Sequence, residues 1–147
     1  MSDSLFSSMS VAAAGMTAQR ARMDVVAENI ANAESTRTAE GGPYRRRQVV
    51  FRTIAEKDAF PAIFARAGQG GSHSVQVSDV VRDPRPFREV YDPVHPDADA
   101  NGIVRMPNVN TIEEMVDMQA AGRSFEANVT SLEASKRMFL KSLEMLR

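Results

Sequence analysis

Two heptad seams, one toward each end of the chain, constrain its fold more than any other sequence feature. From Leu5, apolar or small side chains recur at Met9, Ala12, Met16, Met23, Val26 and Ile30, in steps of four and three interrupted only by Gln19. The rhythm returns after Pro107 at Met115, Met118, Phe125, Val129, Leu132, Phe139, Leu143 and Leu146, with Gly122 and Lys136 as its breaks. Such spacing lines up side chains on one face of an α-helix. Asn110 or Thr111 is suited to cap the second helix. Glu113 or Glu114 can then close a capping box and favour the positive end of the helix dipole. With no proline after Pro107, the second helix can run for on the order of 50 Å.

The middle of the chain has a different character. All seven prolines and six of the eight glycines fall between residues 33 and 110. Short runs suited to β-strands occur at 47–51, 73–81, 87–91 and 102–106, with turn residues between them. The stretch GQGGS at 68–72 reads as a mobile loop tip. The expected architecture is α+β, with N- and C-terminal helices pairing as a coiled-coil-like hairpin around a small β-rich insert. The divisions are 1–34 for the first helix, 35–110 for the insert and connector, and 111–147 for the second helix.

Composition narrows the function. Eighteen basic residues against nineteen acidic ones give a net charge of −1, so no electrostatic excess points to nucleic acid or an anionic membrane. The absence of cysteine removes disulfides and thiolate metal sites, and two histidines cannot build a histidine-rich centre. No run approaches the roughly 18 apolar residues that a membrane span requires. The first residues carry Asp3 in place of a basic leader and do not read as a cleaved secretory signal. No cofactor is expected, and no nucleophile or phosphate-loop motif supports an enzyme.

The stretch DPVHPDADANG, residues 92–102, begins like a calcium-binding EF-hand loop, with Asp97, Asp99, Asn101 and Gly102 in sequence. Position 12 of that loop falls on Asn108 where a bidentate acid is needed, and Pro93, Pro96 and Pro107 disfavour flanking helices. The expectation is therefore mechanical: a stiff, extended connector from insert to helix, with Asn101-Gly102 supplying a turn. The arginine run YRRRQVVFR, 44–52, is expected on a charged strand or loop at a subunit interface rather than on RNA. His95 between Asp92 and Asp97 is the nearest thing to an acid–base cluster. Asn29, Asn32 and Asn128 are polar amides on helices that must pack. Either they set register through interchain hydrogen bonds, or Asn32 merely caps its helix and Asn128 is solvated.

Long helices with a seam need a surface on which to bury it, because helix formation alone does not stabilise them in water. The insert is too small to cover both. Terminal helices commonly do no more than cover their own domain, but the length here favours association between chains.

The residues also resemble a known family. LFSSMSVAAAGMTAQRARMDVVAENIANAEST resembles the N-terminal signature of bacterial flagellar rod and hook axial proteins, and MQAAGRSFEANVTSLEASKRMFLKSLEML is similar to their C-terminal helix. GGPYRRRQVVF and DPVHPDADANGIVRMPNVNTIEEMVDM resemble the short, proximal-rod members of that family. Glu28 departs from the terminal motif, where asparagine is common. The resemblance implies a structural subunit of the periplasmic rod that carries torque, exported through the flagellar type III pathway without cleavage. Implied partners are other rod subunits, the rotor base and the export apparatus. Two rival readings are a self-contained cytosolic helical dimer acting as a protein-binding module, and a small metal-dependent enzyme that would hold stoichiometric metal through Asp97. A free rod subunit should show protease-sensitive ends around a resistant insert, whereas the binding module should resist cleavage throughout.

Overall fold

The computed structural model describes residues 2–55 and 73–145. Two helices, α1 (Ser2–Ala31) and α2 (Thr111–Met145), form an antiparallel pair. At 30 and 35 residues they are about 45 and 52 Å long. Four strands lie between them: β1 (Arg47–Ala55), β2 (His73–Arg82), β3 (Arg88–Tyr91) and β4 (Ile103–Met106). They form two separate antiparallel ribbons, β1 with β2 and β3 with β4. The first ribbon packs on α1. It carries a bulge where Val50 pairs with Asp79 but Phe51 pairs with Val77, leaving Ser78 as the extra residue.

Local chemistry sets each boundary. Asn32 ends α1 by donating its amide to the Glu28 carbonyl at 2.9 Å, while its oxygen accepts from Ser35 at 3.2 Å. Asn110 begins α2: its side chain accepts from the Ile112 N–H at 3.1 Å and its carbonyl from Glu114 at 3.0 Å. A small apolar cluster of Ala33, Tyr44 and Val109 fills the fork where the helices meet the insert, and Val104 and Pro107 are buried as well.

The α1–α2 contact is built differently from the expected seam. Its most enclosed positions on α2 are Glu114, Ala121 and Ser135, and on α1 they are Ala12, Ala18, Val26 and Asn29. Small side chains let the backbones approach closely. A Cβ on Gly15 would lie 2.8 Å from the Asn128 amide nitrogen. The larger seam residues flank this contact instead. Met9, Met16, Met23, Ile30, Met118, Phe125, Val129, Leu132 and Phe139 are all half-buried. The edge-to-face contact of Phe6 with Phe139, centroids 5.4 Å apart, closes the far end of the pair.

The connector expectation needs correction. Residues 92–102 are not an extended connector but the folded loop of the β3–β4 hairpin. Asp92 N–H donates to the Gly102 carbonyl, and further turns join His95 to Asp92, Ala98 to His95, Asp99 to Ile103 and Gly102 to Asp99. Asp99 also accepts from the N–H groups of Asn101 at 2.8 Å and Ile103 at 2.9 Å. Gly102 adopts φ +76°, and a side chain there would strike the Tyr91 ring and Pro93, so both backbone and space demand glycine. Local side-chain bonds thus won over the extended bias of Pro93 and Pro96. The link into α2 is only residues 107–110. Within the arginine run Arg46 is buried in its own chain, while Arg45 and Arg47 are half-buried and Arg52 is exposed. The expected loop tip at 68–72 and the last seam residue, Leu146, lie outside the described residues.

Candidate assembly surface

At the fork, one polar knot holds α1, β1 and α2 together. Asn29 is fully enclosed and all four of its hydrogen-bonding positions are filled. Its amide donates to the Arg47 carbonyl and to Glu114 Oε2, both at 2.9 Å. Its oxygen accepts from the Tyr44 hydroxyl and the Arg47 N–H, again at 2.9 Å. Burial pushes the Tyr44 hydroxyl above its ordinary pKa, helped by the charges of Glu28 and Glu114, so it remains a donor. Glu114 presents its other oxygen to Arg46 Nε at 2.6 Å. Arg46 continues to Asp83 at 3.4 Å and Asp117 at 3.5 Å.

The knot extends to the loop after β2. The Arg85 side chain donates to Asp83 at 2.8 Å and holds its carboxyl below the ordinary carboxylate range, with the Arg85 N–H and Arg46 acting in the same direction. Asn108 accepts from the Arg46 N–H at 2.8 Å and donates to the Arg85 carbonyl at 3.1 Å, fastening the link into α2. A second clasp holds the β3–β4 loop: Asp97 accepts from Thr36 at 2.8 Å and pairs with Arg37. These two bonds depress the Asp97 pKa, Thr36 foremost. The carboxylates of the apparent calcium motif are therefore engaged by the protein itself. Among the described residues, no group of three acidic or histidine side chains could hold a metal.

What remains outward is the apolar surface. Ile112, Met115 and Val116, on the first turns of α2, are 72, 58 and 61% exposed. At the other end of that helix Met138, Leu140 and Leu143 are exposed too, beside Phe6 of α1. Of the seam residues whose burial is described, only Ala12 and Val26 are buried, while Met115 and Leu143 face outward. Asn29 does not project toward another chain, because its amide is fully used at home. Asn32 is a helix cap, and Asn128 rests against Gly15. Among the described residues, no helix is long and apolar enough to cross a membrane.

The sequence that builds this helical pair and fork is similar to those of known proteins. Residues 9–37 match the family of flagella basal body rod proteins, and residues 100–145 match the C-terminal family of flagellar basal body rod FlgEFG proteins. The flagellar basal-body rod protein FlgC of Borreliella burgdorferi is 44% identical, over 97% of this chain and 98% of its own. FlgC of Bacillus subtilis is 43% identical, over 95% and 97%. FlgC of Salmonella typhimurium is 42% identical, over 92% of each. The chain belongs to the FlgC family. FlgC proteins are structural proteins of the basal-body rod rather than enzymes. In this FlgC-family chain the N-terminal match runs from the helical contact through the cap, Asn29 and the clasp residues Thr36 and Arg37. The C-terminal match contains Gly102, Asn108, Glu114 and the whole of α2.

Sequence reasoning missed the knot because it searched for large apolar side chains. The missed signal is a second heptad row on α2: Glu114, Ala121, Asn128, Ser135 and Ser142, all polar or small. It lies one position before the Met115, Gly122, Val129, Lys136, Leu143 row of the expected seam.

Proposed function

We propose that this chain polymerises through its terminal helices into the proximal part of the flagellar rod and transmits torque from the rotor base across the periplasm. One observation carries the reading: the apolar side chains of α2 that its own chain leaves uncovered, Ile112, Met115 and Val116 at one end and Met138, Leu140 and Leu143 at the other. Ile112, Met115 and Val116 share one face of the helix, as Leu140 and Leu143 do, and exposed apolar surface of this kind marks an association face. Different faces at opposite ends of one helix suit head-to-tail contacts, which build rings or open filaments rather than closed dimers. The partners are other rod subunits and the rotor base, and the chain reaches them through the flagellar export apparatus without cleavage of a leader. Residues 1–34 and 111–147 serve assembly, and 35–110 form the insert held at a fixed angle by the Asn29–Arg46–Glu114 knot.

The test uses outward residues, so that folding and assembly separate. The double variant Ile112→Asp/Met115→Asp should keep its helix content and melting temperature as a monomer, fail to enter basal bodies, and leave cells non-motile. Normal incorporation and swimming would overturn the reading. A stable dimer in solution that this variant disrupts would favour the self-contained binding module instead.

A further inference from the structure

The β3–β4 hairpin carries a knob that its own chain leaves uncovered. Tyr91 and Val94 are 74 and 90% exposed, the most open of the large apolar side chains among the described residues. The knob is fixed before it meets anything. The Asp92 N–H donates to the Gly102 carbonyl, and the Val94 N–H donates to the Asp92 carboxylate at 3.1 Å. A Cβ on Gly102 would lie 3.0 Å from the Tyr91 ring, so the bare backbone there gives the ring its place. Thr36 and Arg37 clasp Asp97 and hold the loop at the fork end of the molecule. In the same loop Asp92 and Asp99 are exposed, and neither joins an ion pair among the described residues.

A surface of matching chemistry lies at the other end of α2. Residues three, four and seven apart share a helix face, which groups Ala134, Arg137, Met138 and Lys141. Met138 is exposed, as are both cations, and neither cation joins an ion pair among the described residues. The nearest acids, Glu133 and Glu144, border this group on the Leu140 side. Small Ala134 leaves room beside Met138 for a ring, and a thioether against an aromatic ring is a favourable contact. Two carboxylates on the knob face two cations on the seat, a match that selects one partner over others. Within one chain they stay apart, because Met138 lies about 36 Å along α2 from Glu114 at the fork.

We propose that the β3–β4 loop of one copy seats on the outer end of α2 of the next. Tyr91 and Val94 lie against Ala134 and Met138, with Asp92 and Asp99 beside Arg137 and Lys141. This rests on the polymerisation reading and names a contact through which one copy holds another. The contact is small, so it holds only where an assembly repeats it, and free chains stay monomeric.

The chain has no cysteine, so an engineered pair reports the contact without background. With Val94→Cys and Met138→Cys in one chain, oxidation of isolated basal bodies should link copies into multimers. Either change alone, or the double variant as free chains, should yield at least tenfold less. Basal bodies that contain the double variant but give no multimers would overturn the contact and leave polymerisation standing. Absence of even the unaltered chain from basal bodies would overturn both. Should the cysteine pair itself block entry, charge reversal decides. Arg137→Glu/Lys141→Glu should cut incorporation at least tenfold at unchanged helix content, and adding Val94→Lys should recover much of that loss. Normal incorporation of the reversed seat, or no recovery on adding Val94→Lys, would overturn the proposal.

Discussion

Glu114 and Arg46 show how a buried charge acts at the scale of one residue. Glu114 has no exposed surface, and Arg46 is nearly as enclosed. Glu114 is tolerable there because Arg46 and Asn29 satisfy it, and Arg46 because Glu114, Asp83 and Asp117 surround it. Removing Arg46 leaves buried Glu114 without a counter-charge, so Arg46→Ala should lower unfolding stability by about 3–5 kcal/mol, whereas Glu114→Ala leaves Arg46 its Asp83 and Asp117 partners and should cost less. The double change Arg46→Met/Glu114→Leu strands neither charge and should cost less than Arg46→Ala. Urea unfolding of the three variants checks this, and additive losses would show that the pair is not coupled. Asp83 gives the fold an acid limit. Its carboxyl titrates below its ordinary value because Arg85 and Arg46 hold the charged form. Its stabilisation is therefore complete above about pH 4, the unfolded value, and is lost as pH falls through the lower folded value. Asp83→Asn should flatten that part of the stability profile, measured as urea midpoint against pH between 2 and 5. An unchanged acid slope would assign the loss to other carboxylates, with Asp97 and Asp99, both shifted the same way, as the next to test.

At the scale of the element, the close helix approach rests on Gly15. A methyl group there would sit 2.8 Å from the Asn128 nitrogen and 3.2 Å from its carboxamide carbon, so the amide must move or the helices must part. Gly15→Ala gains about 1 kcal/mol of helix propensity, but overpacking costs typically about 1–3 kcal/mol. The variant should therefore melt lower, and Asn128→Ala should rescue it by making room. A melting temperature that rises in Gly15→Ala alone would show the contact to be loose. The elements themselves were legible. Periodicity and caps placed α2 from Thr111, and alternation with turn residues found all four strands to within a few positions. What was not legible was the choice of inner face. Met9, Met16, Phe125 and Leu132 form the stronger hydrophobic pattern, yet Ala12, Ala18, Ala121 and Ser135 lie deeper, because close backbone approach favours small side chains and moves large ones to the flanks. The proline-rich loop misled for a related reason. Proline restricts its own φ and its predecessor, but says nothing of the hydrogen bonds that Asp92 and Asp99 accept, which fold the chain back.

Stability across the whole molecule is uneven along its length. The fork concentrates the core cluster, the buried ion pairs and the Asn29 bonds, while the far end has chiefly the Phe6–Phe139 and Ser8–Ser135 contacts. Elements with few buried contacts open first. Lys136, Arg137 and Lys141 are exposed on that far end, and none joins an ion pair among the described residues. Trypsin acting on the free protomer should therefore cut there before it cuts at Arg46, which the knot encloses. The early fragments should lose the end of α2 and keep the fork and the strands. In assembled rods the same sites, adjacent to Met138, Leu140 and Leu143, should be protected by at least tenfold in rate, because the neighbour that covers the apolar side chains also covers the peptide bonds between them. Mass spectrometry of timed digests separates the two cases. First cleavage at the fork would invert the stability gradient. Equal rates in free and assembled protein would place the contacts between subunits somewhere other than the outer end of α2.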